Sequence, residues 1–101
     1  MDSLISTLEN ILAEHFRDRF YSEGVRSLRN AIQNSENLES EWESIVRLII
    51  NKKMNPGEPL YLIHNSANLP LDENTDEEAY KWLNLMLINA LGSVDSMIIE
   101  Y

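Results

Sequence analysis

The residues best suited to chemistry are the carboxylates of one short stretch near the end of the chain. Five of the 17 acidic side chains lie between Asp72 and Glu78. Paired carboxylates can act as general acid and base, but only where a pocket desolvates at least one of them. Carboxylates on the polar face of a helix stay solvated, and no Ser, His and Asp set in the sequence has a recognisable catalytic context. The pattern therefore favours a protein without a catalytic site.

Calcium binding is the second chemistry that this stretch suggests. Asp72, Asn74 and Asp76 have the spacing of the first three oxygen ligands of an EF-hand loop. The match then ends, because Glu77 stands where the loop needs glycine and Leu83 stands where it needs a bidentate acid. We expect no calcium site here.

Other cofactor sites are not predicted either. The chain has no cysteine and only two histidines, His15 and His64, which are far apart in sequence. His15 falls on an apolar helix face, where a packed and hydrogen-bonded role is expected. Three glycines are too few for a glycine-rich phosphate loop. Residues 91–97 resemble the phosphopantetheine attachment motif of acyl carrier proteins around Ser96, but that family continues with further helices. We therefore expect no cofactor.

Helical periodicity runs through most of the chain and predicts an all-α fold. The predicted helices cover residues 2–20, 22–34, 38–54, 58–67 and 75–91. We expect a single domain, residues 1–101, built as a compact bundle of four main helices with one short helix between the third and the last. A strand at residues 60–63 is the alternative for the short helix, and the tail, residues 93–101, can be helical or extended. Asn55, Pro56 and Gly57 are expected to end the third helix.

The start of the last helix is the best-specified local feature. Thr75 and Glu78 have the spacing of a capping box, in which the threonine hydroxyl accepts from the Glu78 amide and the Glu78 carboxylate reaches back. Asp76 and Glu77 then lie in the first turn, where the helix dipole favours negative charge. Trp82 lies on the apolar face that follows, and Trp42 lies on the apolar face of the third helix, so both are expected in the core.

The charge of the chain limits its partners. The formal net charge is −9 and the isoelectric point is near 4.5. Nucleic acid and anionic membrane surfaces are disfavoured, because both need clustered Lys and Arg. A basic protein partner is the electrostatic complement, although excess acid can also serve solubility alone. No apolar run approaches the ~18 residues of a membrane span, and the absence of cysteine fits a reducing compartment.

Residues 68–83, with the sequence Asn-Leu-Pro-Leu-Asp-Glu-Asn-Thr-Asp-Glu-Glu-Ala-Tyr-Lys-Trp-Leu, give the chain a family resemblance. Set in a small, acidic, cysteine-free helical chain, this stretch resembles bacterial toxin immunity proteins, most closely those of contact-dependent growth inhibition systems and of the colicin D type. The resemblance implies a cytoplasmic protein whose partner is a nuclease toxin, often a tRNA-cleaving one.

Under this hypothesis a group of carboxylates occupies the basic cleft of the toxin in place of RNA phosphates. The expected contacts are Asp72, Glu73, Asp76 and Glu77, with Tyr80 as a neighbouring anchor. Glu78 is assigned to the helix cap instead.

Two alternatives remain open. One is a second acidic surface, formed by Glu39, Glu41 and Glu43 at the start of the third helix. The other is a different class of function, a non-catalytic adaptor that binds its partner through an apolar face, which predicts weak salt dependence.

Overall fold

The computed structural model describes residues 2–34, 36–92 and 97–99 of the chain. Its elements are α1 (Asp2–His15), α2 (Tyr21–Asn34), α3 (Glu36–Ile50), α4 (Glu58–Tyr61), a π-helical segment (Leu62–Ser66) that continues α4, and α5 (Asp76–Ala90). The described ranges contain no strand. The prediction of an all-α bundle with four long helices and a short one is confirmed.

The first helix is shorter than predicted. It ends at His15 rather than at residue 20 because Asp18 adopts a left-handed backbone, with φ of 60°. An α-helix cannot continue through positive φ. Phe20, the last residue of the predicted helix, is 79% exposed. The second helix begins at Tyr21, one residue before its predicted start, and Gly24 lies within it.

Gly24 lies where α2 packs tightly against the end of α1 and the residue that follows it. A Cβ atom at this position would collide with the Phe16 ring and would lie 2.8 Å from the carbonyl oxygen of His15. The absence of a side chain therefore lets the buried Phe16 ring settle against α2. Phe16, Tyr21 and Trp82 form a cluster of three rings whose centroids are 5.2 to 5.8 Å apart.

The third helix ends at Ile50, several residues before the predicted end at residue 54. Lys52 is left-handed, with φ of 52°, and the Lys53 amide donates to the Leu48 carbonyl at 3.0 Å. This is the Schellman arrangement with lysine in the position that glycine usually fills. The left-handed residue reverses the direction of the chain after α3 and brings the Met54 side chain into the core, where it is 9% exposed. The following Asn-Pro-Gly sequence leads into α4 and does not end α3.

The short helix predicted at residues 58–67 is confirmed, and the alternative strand is wrong. Its second half is π-helical, with the Ala67 amide donating to the Leu62 carbonyl at 3.0 Å. The wider turn buries Leu62, Ile63 and Ala67 completely. Asn68, with φ of 56°, then turns the chain towards α5.

The last helix begins where the sequence predicts. Thr75 is its N-cap, and the Thr75 hydroxyl accepts from the Glu78 amide at 3.1 Å. The helix packs against α2, α3 and α4. Its predicted apolar face is buried except at Leu91, which lies past the helix end and is 77% exposed. Trp82 and Trp42 are both core residues, as expected.

Candidate protein-binding surface

The acidic segment, residues 72–78, joins the π-helical turn to the first turn of α5. Three of its carboxylates, on Asp72, Glu73 and Glu77, belong to exposed residues. Within the described ranges no hydrogen bond or ion pair engages these three side chains. We refer to Asp72, Glu73 and Glu77 as the acidic rim.

Asp76 has an intramolecular role that the sequence did not reveal. One of its carboxylate oxygens accepts from the Gly57 amide at 2.8 Å and the other accepts from the Leu60 amide at 3.2 Å. Both donors lie at the start of α4, where amides have no partner within the helix. The prediction of Asp76 as a partner contact stays a prediction, but both of its oxygens already accept hydrogen bonds that hold α4 against α5.

A sequence signal for this contact exists, although it is faint. The residue before α4 is Gly57, which has no side chain to cap the helix. A helix start without its own cap needs an acceptor from elsewhere. The sequence does not say which acid provides it, since Asp76 is 19 positions away from Gly57.

Tyr80 is buried and does not form part of the exposed surface. It is 7% exposed, and its hydroxyl accepts from the Met54 amide at 3.2 Å. Burial raises the pKa of the Tyr80 phenol, the hydrogen bond from Met54 lowers it, and the nearby Asp76 and Glu58 charges raise it further. The Lys52 ammonium lies 5.8 Å from the ring centroid. The prediction of Tyr80 as a binding anchor stays a prediction, but the residues after α3 contact the ring and its hydroxyl, and little of the side chain reaches solvent.

Glu78 contributes to the helix start, as expected. Its amide donates to Thr75, and its side chain is only 12% exposed. The Lys81 ammonium lies 3.6 Å from the Glu78 carboxylate, one turn further along the helix. Glu78 is therefore part of the scaffold that supports the acidic rim.

The second acidic surface is engaged within the chain. Glu41 accepts from the Thr7 hydroxyl at 3.2 Å, which ties α3 to α1, and Glu43 pairs with Arg47 one turn along α3. Both glutamates are exposed. The side chain of Glu39 lies outside the described part of the chain. Of the two described glutamates on this surface, Glu43 is therefore neutralised by a cation, whereas Glu41 is held only by a neutral hydroxyl.

One polar set, in which only His15 is buried, has the residue types of a catalytic triad. His15 Nδ1 lies 2.7 Å from the Ser27 hydroxyl, and His15 Nε2 lies 3.3 Å from the Glu14 carboxylate. Burial lowers the pKa of His15, the Glu14 charge opposes that shift, and the Arg19 charge adds to it. His15 is 5% exposed, so it bridges α1 and α2 in the packed role that the sequence predicts.

Open grooves are lined by described residues in two places, and neither of these includes His15 or Ser27. A groove of about 290 Å³ lies between Phe20 and Leu69, and one of about 270 Å³ lies between Leu4 and Leu48. Among the described residues, no group of three His, Asp or Glu side chains could hold a metal ion. Ser96, the serine of the carrier-like motif, lies outside the described residues.

An apolar surface at the end of α5 is the feature that sequence reasoning missed. Ile88 and Leu91 lie on one helix face and are 57% and 77% exposed. Met97 and Ile99, in the tail, are 88% and 53% exposed, and hydrogen bonds join Ile99 to Asn89. We refer to these four side chains as the apolar end. The helical period did not predict the exposure of Leu91, because it places this residue on the inner face of the last helix.

Comparisons with protein-family models, with curated proteins and with solved structures found no significant match to this chain. In the part of the chain that the structure describes, no helix has both the length and the apolar character of a membrane span.

Proposed function

We propose that this chain is a bacterial immunity protein that binds a cognate toxin and blocks it without catalysing a reaction. The toxin we expect is a nuclease domain, in particular a tRNA-cleaving one, and the expected compartment is the cytoplasm. The observation that carries the proposal is the acidic rim: three exposed carboxylates without partners among the described residues, in a chain of net charge −9.

The hydrogen bonds that hold the first turn of α5, which carries Glu77 and follows Asp72 and Glu73, support this use of the rim. Thr75 caps α5, and Asp76 fastens the same turn to α4 through two hydrogen bonds. Charges on a fixed backbone bind with a smaller loss of conformational entropy than charges on a mobile loop. A nuclease cleft that binds RNA phosphates is basic, so the rim complements it in charge and accelerates encounter.

The contact set is revised accordingly. Asp72, Glu73 and Glu77 keep their proposed role as electrostatic contacts, whereas Asp76 and Tyr80 act as supports behind them. Because contacts at an exposed rim chiefly affect the association rate, we expect toxin binding to slow as ionic strength rises.

The experiment begins with genetics. The product of the gene directly upstream is expressed in bacteria with and without this chain, and growth is measured. We expect arrest without the chain and rescue with it. An upstream product that is harmless, or that remains toxic when this chain is present, contradicts the proposal.

A matched pair of variants then tests the surface. Glu73→Lys with Glu77→Lys changes the net charge by the same amount as Glu41→Lys with Glu43→Lys on the second acidic surface. We expect the first pair to slow association with the toxin by about tenfold or more at low salt, and the second pair to have a smaller effect. If the second pair has the larger effect, the acidic rim is not the contact surface.

A second candidate function is a non-catalytic adaptor, and the apolar end favours it. Its four apolar side chains are each more than half exposed, and exposed apolar groups near one another are of the kind that protein partners cover. Leu91→Glu should abolish partner binding under the adaptor hypothesis and leave toxin binding intact under the immunity hypothesis.

A further inference from the structure

Asn89, in the last turn of α5, makes an unusual set of hydrogen bonds for a side chain that is 2% exposed. Its Oδ1 accepts from the Ile99 amide at 2.8 Å, and its Nδ2 donates to the Ile99 carbonyl at 2.8 Å. The same Nδ2 donates to the Tyr21 hydroxyl at 2.7 Å. The carboxamide thus uses both of its donors and one of its acceptor positions.

The pair of bonds to Ile99 reproduces the way one β-strand binds another. In an antiparallel sheet, a hydrogen-bonded residue offers its N–H and C=O together to the residue opposite. Asn89 offers an acceptor and a donor in the same arrangement, but from a side chain. Such contacts recognise the backbone of an extended segment and are indifferent to the side chain of the residue that they hold.

Arg29, on α2, completes the arrangement and is 1% exposed. Its Nε donates to the Asn89 carbonyl at 2.8 Å, and its Nη2 lies 3.5 Å from the Met97 carbonyl oxygen. A cation at this position also suits the negative end of the α5 dipole. The guanidinium therefore holds the Asn89 backbone in place and reaches a second carbonyl of the tail.

The side chains of the bound segment divide as those of an extended strand do. Ile98 is half-buried and packs against the core, whereas Met97 and Ile99 are exposed on either side of it. Recognition therefore combines the backbone of residues 97 and 99 with one apolar side chain between them.

We propose that Asn89, Tyr21 and Arg29 form a binding site for an extended peptide with an apolar central residue, and that residues 97–99 of this chain are the occupant in the structure. A peptide with the same pattern competes with the tail from solution. Because residues 97–99 belong to the same chain, they occupy the site at a high effective concentration, so a free peptide competes weakly until their binding is weakened. The site lies at the opposite end of α5 from the acidic rim and is independent of toxin binding.

The test uses the full chain and a fluorescent peptide with the sequence of residues 95–101. Ile98→Asp in the full chain removes the apolar anchor of the tail. We expect this variant to bind the peptide about tenfold or more tightly than the wild-type chain does, because the competing tail is weakened. A peptide that carries the same Ile98→Asp change should not bind. Equal anisotropy titrations of the two chains overturn the proposal.

Matched substitutions on one helix establish the role of the carboxamide. Asn89→Leu, added to Ile98→Asp, should abolish peptide binding. Asn84→Leu is the control, because Asn84 lies on α5, is half-buried and bonds only to the Tyr80 carbonyl one turn back among the described residues. Peptide binding that survives Asn89→Leu, or that is lost equally with Asn84→Leu, contradicts the assignment.

A measurement on the wild-type chain keeps the test decisive if a variant fails to fold. The Ile99 amide should exchange its hydrogen more slowly than an exposed amide does, since Asn89 accepts from it. Exchange at the rate of an unstructured peptide would refute the docked tail and the proposed site.

Discussion

The contact between Asp76 and the start of α4 offers the most direct test of how this fold is held together. In Asp76→Ala the Gly57 and Leu60 amides lose the carboxylate oxygens that lie 2.8 and 3.2 Å away. A hydrogen bond to a charged group contributes about 1.5–3 kcal/mol when it is shielded from water. Gly57 is exposed and Asp76 is half-buried, so water replaces part of this loss. We therefore expect a cost of about 1–2 kcal/mol, the range of a lost helix cap.

The assay is urea unfolding, followed by circular dichroism of the helices. With a slope of about 1–2 kcal/mol per molar urea for a chain of this size, the midpoint should fall by about 1 M. The melting temperature should fall by about 4–16 °C, at about 4–8 °C for each kcal/mol. Asp76→Asn keeps the shape and one acceptor but loses the charge, so it should lie between the wild type and Asp76→Ala.

The matched control for this prediction is Glu77→Ala. Glu77 is the next residue in the same helical turn and is exposed, and its carboxylate holds no amide in the described structure. We expect it to cost only the dipole contribution of about 0.3–1 kcal/mol. Hydrogen exchange at Leu60 should accelerate in Asp76→Ala and not in Glu77→Ala. Equal midpoints and equal Leu60 exchange for the two variants would refute the role that we assign to Asp76.

Three further predictions concern the helix ends and the α1–α2 contact. Gly24→Ala should destabilise the fold by about 1–3 kcal/mol because its methyl group meets the Phe16 ring; a raised urea midpoint, as alanine's helix propensity alone predicts, would contradict this. Lys52→Gly should stabilise by about 0.5–1 kcal/mol because glycine adopts the left-handed backbone without strain; Lys52→Ala, which loses the charge but keeps the Cβ atom, should not. Burial lowers the pKa of His15, so the unfolded chain binds more protons below the usual value of about 6.5. Stability should therefore fall as the pH drops through that value, and urea midpoints for His15→Gln should show a flatter pH dependence.

The cost of burying polar groups explains why the two ends of α5 differ so much in character. At its start, Asp72, Glu73 and Glu77 remain in water, where charge costs little. At its end, Asn89 and Arg29 are buried, and each of them must have hydrogen-bond partners. Met97 and Ile99 provide some of those partners through their backbone groups, while their side chains remain exposed.

Features that depend on residues close together in sequence could be predicted from the sequence. The capping of α5 by Thr75 was predicted because the hydroxyl and the Glu78 amide lie within one helical turn. The apolar stripe through Trp82 fixed which face of α5 is buried, since the helical period is a local property. The all-α fold follows from the sum of such stripes.

The ends of the helices could not be predicted in the same way. Asp18, Lys52 and Asn68 each adopt positive φ at the end of a helical element, and none of them is glycine. The usual stop signals, Gly24 and the Asn-Pro-Gly sequence, lie elsewhere. Tertiary packing, which returns Met54 to the core, decided where α3 stops.

The sequence by itself determined that this chain is an acidic helical bundle with a capped last helix and a concentration of carboxylates at its start. Only the tertiary structure decided which side chains of this region remain available to a partner. Asp76 accepts hydrogen bonds from the Gly57 and Leu60 amides, and the Tyr80 hydroxyl accepts one from the Met54 amide. The hydrogen bonds of Asn89 were also decided by the tertiary structure, since its partners lie in α2 and in residues beyond the end of α5. The physical reason is range: periodicity and capping act within a turn, whereas a buried hydrogen bond joins residues that only the folded chain brings together.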